Sequence, residues 1–322
     1  MTPTIRPAEW LRFIEKEYLA TYIRGGGSAI KFAVPMEDGL RSDLVGGLAA
    51  IGERSGYLVV KIDAGATKVH MVDELFFQTA EQMPWSKLSR KAIAAIAVES
   101  GYSWADKPNG PLYRHLAEAN QVEPQMLLLD LKQAIWKKVF KQRNLSKDFR
   151  VAMTHLCIAE LSGGQDGATA IQVLTDWLTG RNKAVSAVKP FQIFRRINRA
   201  TGRYFYESLA NWVRFAGYPG IVIVLDAERL MLARNPRDNG LFYSKAAVLD
   251  TYEVLRQFID GADQLNGCFM TVVPALAFLE DQARGIGAYE ALKFRVFDEV
   301  RDKHLVNPMA SLTRISANVR GM

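Results

Sequence analysis

The sequence predicts an α/β protein: a mostly parallel sheet flanked by helices, carrying an all-α insertion or subdomain. Three observations carry this. The runs Ile221-Val-Ile-Val-Leu-Asp226 and Cys268-Phe-Met-Thr-Val-Val273 are continuously apolar rather than alternating, as strands buried on both faces are. Two earlier strands, at 28–34 and 57–63, bracket a helix at 42–54, which makes a βαβ unit with a right-handed crossover. Between about 85 and 150 the apolar spacing is helical throughout. The expected organisation is a first half of the α/β domain at 1–83, a helical segment at 84–188 and the second half of the α/β domain at 189–322.

The bounds are ordinary for a globular protein. The chain has 322 residues, 49% of them hydrophobic and 23% charged, with a net charge of +7. No apolar run approaches the roughly 20 residues of a membrane span, and residues 1–10 lack the apolar region of a signal peptide. A cytoplasmic protein without membrane contact is expected. Cys157 and Cys268 lie in apolar surroundings, which reads as buried thiols. His70, His115, His155 and His304 share no ligand spacing, so no metal site is expected.

In chain order, residues 8–23 space Trp10, Leu11, Ile14, Tyr18 and Tyr22 as a helix, broken at Gly25-Gly-Gly. The strand at 28–34 ends at Pro35. A phosphate loop fits two registers. Gly25 to Lys31 keeps a glycine and a lysine at the spacing of a Walker A loop, but it follows a helix and enters a strand, the reverse of what such a loop requires. The register Pro35-Met-Glu-Asp-Gly39-Leu40-Arg41-Ser42 follows a strand and opens a helix. There Leu40 and Arg41 stand where glycine and lysine are needed, and Ser42 is kept. Pro35 and Leu40 restrict the backbone N–H groups that would wrap phosphate, and Glu37 and Asp38 add negative charge. A helix at 71–83 follows. A break at 107–111 interrupts the helical stretch, and Leu88 to Tyr102 has only a faint helix-turn-helix pattern beside the reading as packing helices.

Two basic segments stand out. Residues 132–150 hold seven basic side chains and one acid, and residues 189–203 hold five basic side chains and none. Their charges, +6 and +5, sum to +11 against +7 for the whole chain, so the rest of the molecule carries −4. That concentration reads either as a nucleic-acid surface or as a solvated face that docks an acidic protein. The candidate phosphate-contacting residues are Lys137, Lys138, Lys141 and Arg143 in the first segment, and Arg195, Arg196, Arg199 and Arg203 in the second.

The strand ending at Asp226 is built like a Walker B strand, in which an apolar strand presents one Asp to nucleotide-bound Mg²⁺. The next residue is Ala227, where an active enzyme of this type carries a Glu; Glu228 comes one residue later and is expected on the other side of the chain. The strand at 268–273 takes the place of a sensor strand with Thr271 its only hydroxyl, and Arg284 lies downstream where an arginine sensor would stand. A long helix is expected over 244–261.

With these residues collected, the chain resembles the P-loop family that includes the ATP-binding proteins of BREX phage-defence systems, the BrxD-like group. The resemblance rests on Tyr22-Ile-Arg-Gly-Gly-Gly-Ser-Ala-Ile-Lys-Phe-Ala-Val, Ala216-Gly-Tyr-Pro-Gly-Ile-Val-Ile-Val-Leu-Asp, Ala247-Val-Leu-Asp-Thr-Tyr-Glu-Val-Leu-Arg-Gln-Phe-Ile-Asp260 and Arg284-Gly-Ile-Gly-Ala-Tyr-Glu-Ala-Leu-Lys-Phe-Arg295. It implies an AAA+-like P-loop fold and a place among the subunits of a defence system, with ATP and Mg²⁺ as the cofactors and double-stranded DNA or a homo-oligomer as possible partners. It also implies site roles: Asp226 and Glu228 in catalysis, and Gly39, Arg41, Ser42, Thr271 and Arg284 on nucleotide. With Leu40, Arg41 and Ala227 at motif positions, the expectation is a catalytically weak or inactive subunit acting as a scaffold or DNA-associated component. The alternatives are an active ATPase of the same system and a protein-interaction module.

Overall fold

The continuously apolar stretches pair as a central sheet. The computed structural model describes residues 3–105, 111–297 and 306–318. The chain divides into two compact units, one of residues 1–79 and 218–322, the other of residues 80–217. The helical segment expected at 84–188 lies within the second unit, and residues 189–217 belong to that unit as well. The break expected at 107–111 falls almost wholly outside the described residues.

The first unit opens with α1 (Pro7–Phe13), which continues without interruption into a π-helix (Ile14–Tyr22). Pro7 sits at the start of α1, where its missing N–H costs nothing. Then come β1 (Ala29–Pro35), α2 (Leu40–Arg54), β2 (Leu58–Asp63) and α3 (Val72–Glu81). In the second unit the described residues form helices: α4 (Trp85–Glu99), α5 (Leu112–Asn120), α6 (Pro124–Ile135), α7 (Lys147–Ser162), α8 (Gly164–Leu178), α9 (Val185–Val188) and α10 (Gly202–Phe215). The chain then returns to the first unit for β3 (Ile221–Asp226), α11 (Lys245–Asp260), β4 (Cys268–Val273), α12 (Ala277–Glu280), α13 (Glu290–Val296) and β5 (Leu312–Ile315).

The sheet runs β2-β3-β4-β1-β5 with every pairing parallel. This is the P-loop-like α/β architecture that the strand and βαβ patterns predict. The order seats β1, which leads into the 36–39 loop, next to β4, and β4 next to the Asp226 strand. One face packs on the N-terminal helices through Trp10, Ile14, Leu48, Val222, Val224 and Phe269. On the other face Phe32 stacks on Phe278 at 5.6 Å, and Tyr252 of α11 meets the same ring edge-on at 5.8 Å. Ala33 belongs to the first face, so alternation along β1 divides its side chains between two cores.

Glycine is required where β3 begins. Gly220 has φ +151, and a Cβ there would lie 1.8 Å from the carbonyl oxygen of Gly267. That close approach lets Ile221 N donate to Gly267 O at 3.0 Å and start the β3–β4 ladder. Among the described residues, no helix is long and apolar enough to cross a membrane. Cys157 and Cys268 are buried free thiols, and burial pushes Cys268 up to about 12.

Candidate functional site

The site forms at the carboxyl edge of the parallel sheet, where open α/β sheets present their ligand-binding residues. Asp63 at the end of β2 is the register partner of Asp226 at the end of β3, and Asp226 is the partner of Val273 in β4. Backbone bonds tie these ends: Ala64 N donates to Asp226 O at 2.9 Å, and Ala227 N donates to Val273 O at 3.0 Å. Two carboxylates therefore stand side by side on adjacent strand ends.

Arg41, in the first turn of α2, reaches both acids contributed by the β3 end. Its Nε lies 3.7 Å from Asp226 Oδ2, and its Nη1 is ion-paired with Glu228 Oε2. Glu228 was expected on the far side of the chain, and the structure corrects this. Asp226 Oδ1 accepts from Glu228 N at 3.2 Å, and a 3₁₀ turn over Glu228–Met231 follows. Tight winding right after the strand swings Glu228 round to the guanidinium, a rotation that extended-chain alternation does not anticipate. The Asp226 carboxyl is shifted up from its ordinary value. Burial is the largest cause, Arg41 opposes it, and Asp63 adds to it. Ala227 is buried at 1% exposure, with no room for a solvated carboxylate.

The loop register that follows a strand and opens a helix is the one the fold uses: β1 ends at Pro35 and α2 begins at Leu40. Gly39 caps α2 with an ordinary helical φ of −68, and nothing lies within 4 Å of where its Cβ would be. Its backbone thus uses none of glycine's special freedom. Ser42 is exposed on α2. Glu37 does not face the loop interior: its carboxylate accepts from Ser316 Oγ at 2.6 Å and from Ala317 N at 3.3 Å. The competing lysine, Lys31, lies within β1, is 4% exposed, donates to the Met309 and Ala310 carbonyls and sits 4.6 Å over the Tyr18 ring.

Thr271 lies in mid-strand, paired in register with Lys31 and Val224, two residues short of the β4 end. It is fully buried and its hydroxyl has no hydrogen-bond partner among the described residues. It therefore does not reach the Arg41–Asp226 cluster, and Val273 holds the strand end instead. Arg284 donates from Nη1 to Tyr243 O at 2.9 Å and to Leu230 O at 3.4 Å, and lies 5.5 Å over the Phe242 ring. It fastens the turn after β3 to the start of α11.

Two neighbours of the cluster went unread in the sequence. Asp63 carried the same signal as Asp226, an acid closing an apolar strand, and was legible on that ground. Arg229 was not. It donates to Leu241 O at 2.7 Å and pairs with Asp238, nine residues on in a turn-rich loop. Only folding of that loop brings it within electrostatic reach of Asp63.

The basic segments lie in the second unit. Lys137, Lys138, Lys141, Arg143, Arg195, Arg196 and Arg199 are exposed and Arg203 is half-buried. Lys138 pairs with Glu99 at 2.9 Å and Arg203 with Glu207 at 3.0 Å. The segments converge on α7. His155 takes Trp136 of the first segment at 5.9 Å and Phe191 of the second at 5.3 Å, both edge-on, and Arg195 acts electrostatically on Asp148.

A family model described as "BREX system ATP-binding protein BrxC/D" matches residues 114–318, a span that takes in Asp226, Glu228, Thr271, Arg284 and the whole of both basic segments. No curated protein matches, and no solved structure matches.

Proposed function

The chain belongs to the BREX system ATP-binding BrxC/D family, and from that premise we propose that it is a catalytically weak or inactive ATPase-like subunit of the defence system, serving as a scaffold associated with DNA. The observation that carries this reading is the Arg41 bridge. Phosphoryl transfer needs a carboxylate free for Mg²⁺ and a cation free for phosphate, both at the end of the loop. Here Arg41 is engaged by both acids, so nucleotide would have to break two ion pairs before gaining its guanidinium. Pro35, Leu40 and the ordinary backbone of Gly39 leave no wrapped nest of N–H groups to compensate. Ala227 removes the residue that would polarise water. As they stand, these residues do not fit Mg²⁺·ATP.

Titration calorimetry with Mg²⁺·ATP and a phosphate-release assay test this. We expect no micromolar binding and no turnover. Micromolar binding with steady hydrolysis that Asp226→Ala abolishes would establish the active alternative instead. The DNA-associated role is supported by the +11 of charge on two segments that meet at His155. Salt-dependent duplex binding that is lost when Arg195, Arg196 and Arg199 become Glu is the expected result. Binding of acidic protein subunits without DNA would favour the interaction-module reading. Other subunits of the system and a second copy of this chain are the partners to assay by co-purification and by mass in solution.

A further inference from the structure

The second basic segment carries a feature that charge alone does not explain. Its rings point outward. Phe194 is 64% exposed between Ile193 and Arg195, and Tyr204, in the first turn of α10, is 58% exposed. Leaving a Phe ring mostly in water forgoes most of the stabilisation its burial would give. The chain does not lack the means to bury it, because Ile193 and Ile197 on either side are both anchored in the core. The loop is also held in shape. Gln192 takes a left-handed turn at φ 62, and Asn198 Oδ1 accepts from Ala200 N at 3.0 Å and Thr201 N at 3.2 Å. Phe194, Arg195 and Arg196 are thus presented outward between two buried isoleucines and a fixed turn. Across the His155 cluster, Trp136 is 36% exposed beside exposed Lys137.

We propose that this surface binds single-stranded DNA, with the Phe194 and Tyr204 rings as stacking platforms and the neighbouring arginines and lysines on the phosphates. The inference rests on the DNA-associated reading and narrows it. Unstacked bases offer π faces to protein rings, whereas the bases of a duplex are already stacked on each other. A surface built for duplex phosphates needs the cations but gains nothing from exposed rings. Contact with about four phosphates gives a log-log salt slope of about −3 for a single strand.

The test is fluorescence anisotropy of the full chain with a 30-nucleotide oligo-dT, a 30-base-pair duplex and an oligo-rU of equal length. The expected result is tighter binding of oligo-dT than of duplex. Phe194→Ala and Tyr204→Ala should each weaken oligo-dT binding roughly fivefold to a hundredfold while leaving duplex binding unchanged. Phe194→Leu, which keeps apolar bulk without a π face, should lose affinity like Phe194→Ala, and Tyr204→Phe should keep it. Tighter duplex binding, or oligo-dT binding indifferent to both rings, overturns this inference and leaves the DNA-associated reading standing. Preference for oligo-rU overturns the assignment to DNA. Absence of binding to all three overturns the inference and the DNA-associated reading together.

Discussion

Replacing Arg41 with Met removes the guanidinium that faces Asp226 while keeping the aliphatic stem, and the cost follows from the geometry. At the 3.7 Å separation of Arg41 Nε and Asp226 Oδ2, the attraction is about 1 kcal/mol in water and about 4 kcal/mol at an effective permittivity of about 20. Both side chains keep more than a quarter of their surface exposed, at 27% and 29%, which favours the lower end, about 1–2 kcal/mol. The sign for Asp226 is opposite to that of a well-paired acid. Its folded pKa is raised, so the folded state holds the proton more tightly than the unfolded chain. Stability is therefore greatest below the ordinary aspartate pKa. It falls as pH rises through the window between the ordinary and raised values, and the full cost is present at pH 7. Asp226→Asn alone should thus be neutral to stabilising at pH 7, and in the Arg41→Met background the gain should be larger, about 1 kcal/mol or more. Hydrogen exchange at the β3 amides, Val222 to Leu225, reports the opening free energy of the sheet without interference from the helical unit. A coupling in the double-mutant cycle below about 0.5 kcal/mol, with exchange unchanged in Arg41→Met, would refute a stabilising Arg41–Asp226 pair.

Three further outcomes are expected. Ala227→Glu, which rebuilds the acidic pair of an active site, places a carboxylate at a position 1% exposed and should destabilise by about 3 kcal/mol or more, read as a lower thermal midpoint; an unchanged midpoint with new ATP hydrolysis would contradict it. Gly220→Ala drives a Cβ into the Gly267 carbonyl at an unfavourable φ, and should cost about 3 kcal/mol or more and loosen the β3–β4 ladder in hydrogen exchange. Glu253 is held down to about 2, first by Arg256 and also by Tyr289 and Gln257, so it contributes stability above the ordinary glutamate pKa that is lost as pH falls toward about 2. Acid exposure across that window should raise exchange in α13, whose neighbour Tyr289 is bonded to Glu253, and Glu253→Gln should remove the pH dependence.

Much of the fold was legible because its strands are apolar throughout and its breakers stand at the ends. The α2 and α11 boundaries fall within two residues of the expected ones. The strand β5 was not read. Leu312-Thr-Arg-Ile has four residues, and the parallel edge of β1 is what makes it a strand. Asp226 and Arg41 were singled out individually, but nothing in their spacing places one on the other across 185 residues. Thr271 stands out in the sequence as the lone hydroxyl of its strand, and register, which a single strand does not reveal, puts it in the interior. The outward rings of the basic segment are not legible in the sequence, where Phe194 reads as one more apolar residue; only the fold shows that Ile193 and Ile197 fill the core instead.

The sequence by itself determined the four strands β1 to β4 and the principal helices, the loop register after β1, the residues that stand in place of glycine, lysine and glutamate at the motif positions, and the concentration of positive charge. These follow from residue type and local spacing, which act within a few residues along the chain. The tertiary structure alone decided what the remaining polar groups do. The 3₁₀ turn after β3 brings Glu228 to Arg41, the parallel register aligns Asp63 with Asp226, and the ring contacts on His155 bring the two basic segments to one helix. Asp226, first legible as a metal-ligand position at the end of an apolar strand, is in the fold the partner of a guanidinium, because charges meet through space and their pairing is set by how the strand ends and helix starts are assembled.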